Sequence, residues 1–254
     1  MSAGGDAKSG LLLPTIFSIA AFAVLIGLGT WQLQRKAWKD GLLAQIAARM
    51  AAAPIPFAEA LVRTRAGEEL EYTRVSVSGR WQPSREWHLW APMSSGPGWH
   101  VYAPLATPAG TIVVVNRGFV PDAWREAASR PEPEGNREVA LVGLLRRPEV
   151  KGAFTPDNVP DRNAWYWRDL GGMIDTLPAP ERALAAPFFI DAERGSPSAP
   201  HTPVGGVTRL DIPNNHLQYA LTWYGLAATL AGVYAVFAWG RLGSVKSRPV
   251  DKSR

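Results

Sequence analysis

Two long apolar runs bracket a middle stretch in which apolar and polar positions alternate in short segments. The first run, Leu11 to Thr30, reads LLLPTIFSIAAFAVLIGLGT, about twenty residues without a charge. As a helix that length crosses a hydrocarbon core of about 30 Å. Pro14 falls in its first turn, where a missing N–H does little harm. A cleaved signal peptide would need a small-residue site just after the apolar core. The run instead continues into Trp31-Gln32-Leu33-Gln34-Arg35-Lys36, and Ala51-Ala52-Ala53 comes too late. A retained transmembrane helix over 11–33 is expected. The second run, Leu217 to Trp239, is similar in length and stops at Gly240-Arg241, so a second span is expected over 214–239.

Between the spans the period changes. From Gln32 to Met50 the pattern stays helical, and Ala53-Pro54-Ile55-Pro56 ends it. Tyr72 to Gly79 alternates, with Tyr72 out of phase; Glu86–Trp90, Trp99–Leu105, Thr111–Val115 and Glu138–Leu145 are further strands. Phe188–Ile190 and Val207–Leu210 read as short edge strands, and Pro121–Ser129 and Asp169–Leu177 as short helices. Connections are mostly too short for crossover helices, which predicts an antiparallel, curved or barrel-like sheet. The fold class expected is an α+β membrane protein, two transmembrane helices flanking an exported, mainly antiparallel β domain over 34–213.

Charge then sets the orientation. The formal charge is +5 and the pI about 9.7, but the basic residues gather beside the spans, where they serve topology and lipid rather than nucleic acid. The tail over 240–254 carries Arg241, Lys246, Arg248, Lys252 and Arg254 against Asp251. That places the tail, and with it residues 1–10, in the cytoplasm, and the central domain outside. Arg35, Lys36 and Lys39 after the first span oppose this, but a long domain is translocated despite its charge. The chain is expected to be multi-pass, with lipid as a partner and nucleic acid excluded.

Candidate chemistry is sparse. With no cysteine, a disulfide framework, a thiol redox site and a cysteine metal site are excluded. Four scattered methionines argue against a copper relay, and eleven tryptophans favour binding or packing over catalysis. No G-x-S-x-G, Walker loop, dinucleotide fingerprint or H-E-x-x-H occurs, and no enzyme is expected. His88 and His100 lie in aromatic strands, where a paired metal site competes with a structural role that is the commoner one; His201 reads as solvated. Arg117, at the end of the Thr111–Val115 strand, suits a carboxylate such as a haem propionate, or a salt bridge to Asp122 or Asp169. Gly118 would let the chain turn there. Trp165-Tyr166-Trp167 reads as a core plug or an aromatic platform, with the core ahead.

The sharpest site is Asn214-Asn215-His216-Leu217-Gln218-Tyr219-Ala220-Leu221-Thr222-Trp223-Tyr224-Gly225. Asn215 suits an N-cap with Gln218 reaching back, which puts His216 in the first turn on a face with Ala220 and Trp223 and with Tyr219 beside them. A helix start disfavours a cation, and a metal-binding imidazole must be neutral. Residue types alone leave two readings, an aromatic belt at headgroup depth or a metal ligand, with the belt ahead.

Five blocks in order resemble the surfeit locus protein 1 family, membrane assembly factors of cytochrome c oxidase. They are Gly29-Thr30-Trp31-Gln32-Leu33-Gln34-Arg35, Val75-Ser76-Val77-Ser78-Gly79-Arg80-Trp81, Gly98-Trp99-His100-Val101-Tyr102-Ala103-Pro104-Leu105, Val115-Asn116-Arg117-Gly118-Phe119-Val120-Pro121 and Asn215-His216-Leu217-Gln218-Tyr219-Ala220-Leu221-Thr222-Trp223. The resemblance implies binding or delivery of haem a to the oxidase core subunit, with His216 the haem-linked histidine; that moves His216 from belt to ligand. It also implies partners in the core subunit and in the haem a synthesis machinery, and residence in a bacterial or, in a eukaryote, mitochondrial inner membrane. On that reading Tyr219 and Trp223 pack on the ring, and Arg35 or Arg117 meets the propionates. A haem-free scaffold for oxidase subunits and an exported enzyme using His88 and His100 are the alternatives.

Overall fold

The computed structural model describes residues 5–82, 85–92, 96–130, 138–195, 202–206 and 214–246. His201, the strand expected over Val207–Leu210 and the tail from 247 lie outside these. The chain divides into two compact units, Met1–Gln45 with Asp211–Arg254, and Ile46–Leu210.

Helix α1, Gly5–Ala51, runs 47 residues without a break, and Pro14 lies inside it rather than in the first turn expected, because the helix already begins at Gly5. Helix α5, His216–Lys246, runs 31 residues. Both are long and apolar enough to cross a membrane. Half-buried or buried positions on α1 recur at 11, 14, 15, 18, 25, 28, 29, 32, 36 and 39, and on α5 at 216, 220, 223, 224, 227, 230, 234 and 238. That three-and-four spacing is the seam of two antiparallel helices. Small residues let the backbones approach: Ala220 and Ala227 are fully buried. Two hydroxyl pairs cross the seam, Thr15 with Tyr234 and Thr30 Oγ1 with Tyr224 OH at 3.2 Å. The outward faces stay apolar, as lipid requires, with Leu12, Phe17, Val24, Leu221, Val233 and Val236 exposed.

The second unit is a sheet built from β1 (Ile55–Pro56), β2 (Arg74–Trp81), β3 (Trp87–Trp90), β4 (Gly98–Ala106), β5 (Ile112–Pro121), β6 (Glu138–Arg146), β7 (Ala164–Trp165) and β8 (Ala185–Ala192). Helices α2 (Phe57–Arg65), α3 (Leu170–Asp175) and α4 (Ala179–Arg182) accompany it. Strands β2, β6, β8, β5 and β4 pair in that order, and β4 returns to β2 at Leu105↔Trp81 and Ala106↔Arg80, closing a ring. Elsewhere β2 and β4 splay apart. Strand β1 fills the free edge of β2 at Val75 and Ser76, and β3 fills that of β4 from Trp99 to Tyr102. Among the described residues five of the eight strand pairings are antiparallel.

Alternation sorts the side chains. Val75, Val77 and Trp81 of β2, Ala103 and Leu105 of β4, Val113 and Val115 of β5, Leu145 of β6, and Phe188 and Ile190 of β8 form an interior core. Helix α2 adds Ala60 and Phe57, whose ring lies 5.8 Å from that of Phe188. The outer face of β4, β5 and β8 carries a second core, in which Tyr102, Ile112, Val114 and Phe189 meet Trp165 and the α3 residues Leu170 and Met173. Trp165 is therefore the core plug expected, its indole N–H donating to Asn163 at 3.1 Å.

Four expectations need correction. Strand β8 is not an edge strand: it lies between β5 and β6, and Phe188, Phe189 and Ile190 are all fully buried because both of its faces are covered. Its pairing with β5 is parallel, which the 122–184 excursion between them permits. Strand β5 does not end at Asn116. Gly118 has φ +127° but stays paired with Val101, so the glycine absorbs a bulge and the strand runs on to Pro121. A Cβ there would lie 2.1 Å from the Val204 carbonyl carbon, since Val204 bonds back to Phe119 through N–H and C=O, each at 3.0 Å. The Pro121–Ser129 helix is two separate 3-10 turns, Asp122–Trp124 and Ala127–Ser129. Tyr72 is out of phase because its φ is +65°, which precedes β2 rather than belonging to it.

Candidate functional site at the start of the second long helix

Helix α5 begins where its sequence says, with Tyr219 N donating to Asn215 O at 3.2 Å. His216 therefore occupies the first turn, on the face that carries buried Ala220 and half-buried Trp223. That face turns toward α1. His216 Nδ1 lies 2.7 Å from Gln32 Oε1. A carbonyl oxygen only accepts, so in the neutral ring Nδ1 carries the hydrogen and Nε2 keeps its lone pair. Among the described residues Nε2 has no hydrogen-bond partner. Two neighbouring bonds bracket the pair: Asn214 Nδ2 donates to Asp40 Oδ1 at 2.7 Å, and Thr30 meets Tyr224.

Several aromatic side chains on these stretches of α1 and α5 are exposed rather than packed. Tyr219 is 55% exposed, Trp31 54% and Trp38 55%. The Arg35 guanidinium sits 3.9 Å from the Trp38 ring centroid. Lys36 and Asp40 pair at 2.5 Å along α1. A shallow hollow of about 580 Å³ flanks the helix start, lined by Asn214, Asn215, Leu217, Gln218, Leu221 and Thr222. A nitrogen with a free lone pair, exposed aromatic rings and a cation on one helix pair suit a flat apolar macrocycle bearing carboxylates. Among the described residues no cluster of three His, Asp or Glu side chains exists to hold a bare metal ion.

The other histidines do not form a site. In the β3–β4 pair His88 faces Val101 and His100 faces Leu89. One residue of offset puts the two imidazoles on opposite faces of the sheet, and the paired metal site is excluded by that parity. His88 is 3% exposed, its Nδ1 receiving Arg125 Nε at 3.3 Å and its Nε2 3.5 Å from Glu86. His100 packs edge-on to Phe119. Burial holds its pKa below the ordinary 6.5 against the opposing charge of Asp191, with a smaller contribution from Arg168.

Arg117 is an ion-pair residue, but its partner is neither Asp122 nor Asp169. Its Nη1 donates to Glu86 Oε1 at 2.9 Å, while Arg130 takes the other oxygen. Burial pushes the Glu86 carboxyl up, yet its contacts with His88, Arg130 and Arg117 outweigh that and leave it below 4.5. Asp122 instead accepts from the Trp99 indole at 2.7 Å, and Asp169 caps α3. Arg117 is thus ion-paired to Glu86 of the β unit, whereas Arg35 lies on α1 beside the Gln32 stretch.

Gln32 is the residue that sequence reasoning missed. It stands in the Gly29–Arg35 block, but nothing in a single sequence says which of the residues there meets His216.

These features define a class: a chain with two long apolar helices, a closed β unit between them, and a histidine presented at a helix start among aromatic residues. The SURF1 family profile matches residues 19–228. The Surfeit locus protein 1 of Mus musculus is 38% identical over 81% of this chain and 69% of its own length. That of Xenopus tropicalis is 36% identical over 86% and 71%, and that of Homo sapiens 36% over 80% and 70%. The chain belongs to the SURF1 family, and it is a membrane protein of that family.

Proposed function

We propose that the chain is an assembly factor for cytochrome c oxidase that holds haem a through His216 at the membrane boundary and passes it to the core subunit, without catalysing a reaction. One observation carries the reading: the His216 ring is fixed through Nδ1 by Gln32, which leaves the Nε2 lone pair without a hydrogen-bond partner among the described residues. Haem a supplies an iron that imidazole ligates, and an apolar ring and tail that belong at a lipid boundary rather than in water. Tyr219 and Trp223 offer aromatic surface, and Arg35 a cation for a propionate. Lipid surrounds the exposed apolar helix faces. The haem a synthesis machinery is the natural source of the cargo, and the inner membrane the place where the oxidase is built.

Replacing His216 with Ala tests this, because alanine keeps the helix. Protein purified from cells that make haem a should lose its haem absorbance while membrane levels hold, and His88→Ala should leave haem content intact. Full haem content in a stably inserted His216→Ala protein would sink the ligand; a wild-type protein without haem that still binds the oxidase would support a scaffold instead. For orientation, the basic tail puts both termini in the cytoplasm. Reporters fused after Arg254 and near Gly195 should then give opposite readouts.

A further inference from the structure

The bond between Gln32 and His216 joins two helices whose sequences lie 184 residues apart. It sits within a ladder of cross-helix contacts, flanked by Thr30 with Tyr224 on one side and Asp40 with Asn214 on the other. Such flanking bonds hold the register, so Gln32 meets His216 only when α1 and α5 are correctly paired. Gln32 also offers an acceptor without a charge. Histidines that bind metals commonly give their second N–H to a carbonyl or carboxylate, which fixes tautomer and ring orientation.

We infer that Gln32 is a positioning residue: by accepting the Nδ1 hydrogen of His216 it makes Nε2 the ligating nitrogen. This deepens the haem reading above and rests on it. The site is then a property of the paired helices and not of α5 alone. Without Gln32 the ring is free to place its hydrogen on Nε2, where the lone pair is lost, and to turn about its side-chain torsions. A neutral amide sets the tautomer while drawing little electron density from the N–H. A carboxylate at the same place would pull harder on the hydrogen and make Nε2 a stronger donor. The amide therefore suits a protein that must give up what it holds.

The test uses the full chain, labelled with ¹⁵N-histidine, in lipid nanodiscs and free of haem. Long-range ¹H–¹⁵N spectra above pH 8 show which imidazole nitrogen carries the hydrogen. The wild type should show His216 as the Nδ1–H form. Gln32→Leu should lose that preference, and Gln32→Glu should keep it. Titration with haem, read at the Soret band, should then show about 10- to 100-fold weaker binding for Gln32→Leu and binding at least as tight as wild type for Gln32→Glu. An Nε2–H form in the wild type, or an unchanged tautomer in Gln32→Leu, would overturn the inference. Haem uptake that depends on His216 but not on Gln32 would overturn it while leaving the haem reading standing. A tautomer that follows Gln32 in a chain that takes up no haem would overturn the haem reading and keep the tautomer assignment.

Discussion

Gly29 of α1 lies under the ring of Tyr224 of α5, so close that a Cβ on the glycine would stand 2.6 Å from Cε1 of the tyrosine. The tyrosine hydroxyl then reaches Thr30 one residue along. A helix pair in lipid has little hydrophobic drive to associate, because lipid tails are as apolar as its side chains. Close packing and cross-helix hydrogen bonds must supply the attraction, and this contact provides both.

Enlarging Gly29 should therefore loosen the helix pair. Gly29→Ala forces the Tyr224 ring to shift, and Gly29→Leu should separate the helices and lower the amount of inserted protein. The two positions should couple: the cost of Gly29→Ala should shrink in a Tyr224→Ala background, by about 0.5–3 kcal/mol for residues in direct contact. Thermal unfolding of the four proteins in the same detergent gives the coupling. Additive effects would mean that the two side chains do not meet.

The Glu86 carboxylate holds Arg117 and Arg130 in a place where its own side chain is 9% exposed and that of Arg130 3%. Glu86→Gln keeps the shape and removes the charge, which takes the Glu86 counter-charge from the buried Arg130 guanidinium. Loss of one partner from a buried ion pair costs about 3–5 kcal/mol. The melting temperature should fall while the helix pair is retained. An unchanged melting temperature would count against the network.

His100 makes the β unit sensitive to mild acid. Its pKa is depressed in the folded state by burial and by Arg168. Below the ordinary histidine value of 6.5 the unfolded chain takes up the proton before the folded one does. Stability is thus full above that pH and falls as the solution is acidified toward the folded value. Melting temperatures at pH 7.5 and 5.5 should differ by more in the wild type than in His100→Leu. Equal slopes would show that His100 contributes nothing to the pH dependence. Glu86 acts lower on the scale, its stabilising charge being present above 4.5 and lost as pH falls through its depressed folded value.

By itself the sequence determined what depends on neighbours a few residues apart. The length and apolarity of two runs require two long helices, since only a helix satisfies its own backbone in lipid. Alternation located β2, β3, β4 and β6 to within a residue or two, and Pro54 and Pro56 marked the end of α1. The start of α5 at His216 was legible for the same reason, from the apolar run that opens at Leu217. Only the tertiary structure decided what depends on register between distant segments. Phe188-Phe189-Ile190 reads as a short apolar run whether it lies at an edge or at the centre, and the choice is made by whether β5 and β6 both reach it. His88 and His100 look like a pair until the β3–β4 register sets one residue of offset and sends them to opposite faces. Arg117 carries the same charge whichever acid it meets, and the pairing that brings Glu86 to it is fixed across the sheet. Gln32 and His216 meet because two helices pack in one register, and no local pattern in either helix encodes the other's partner.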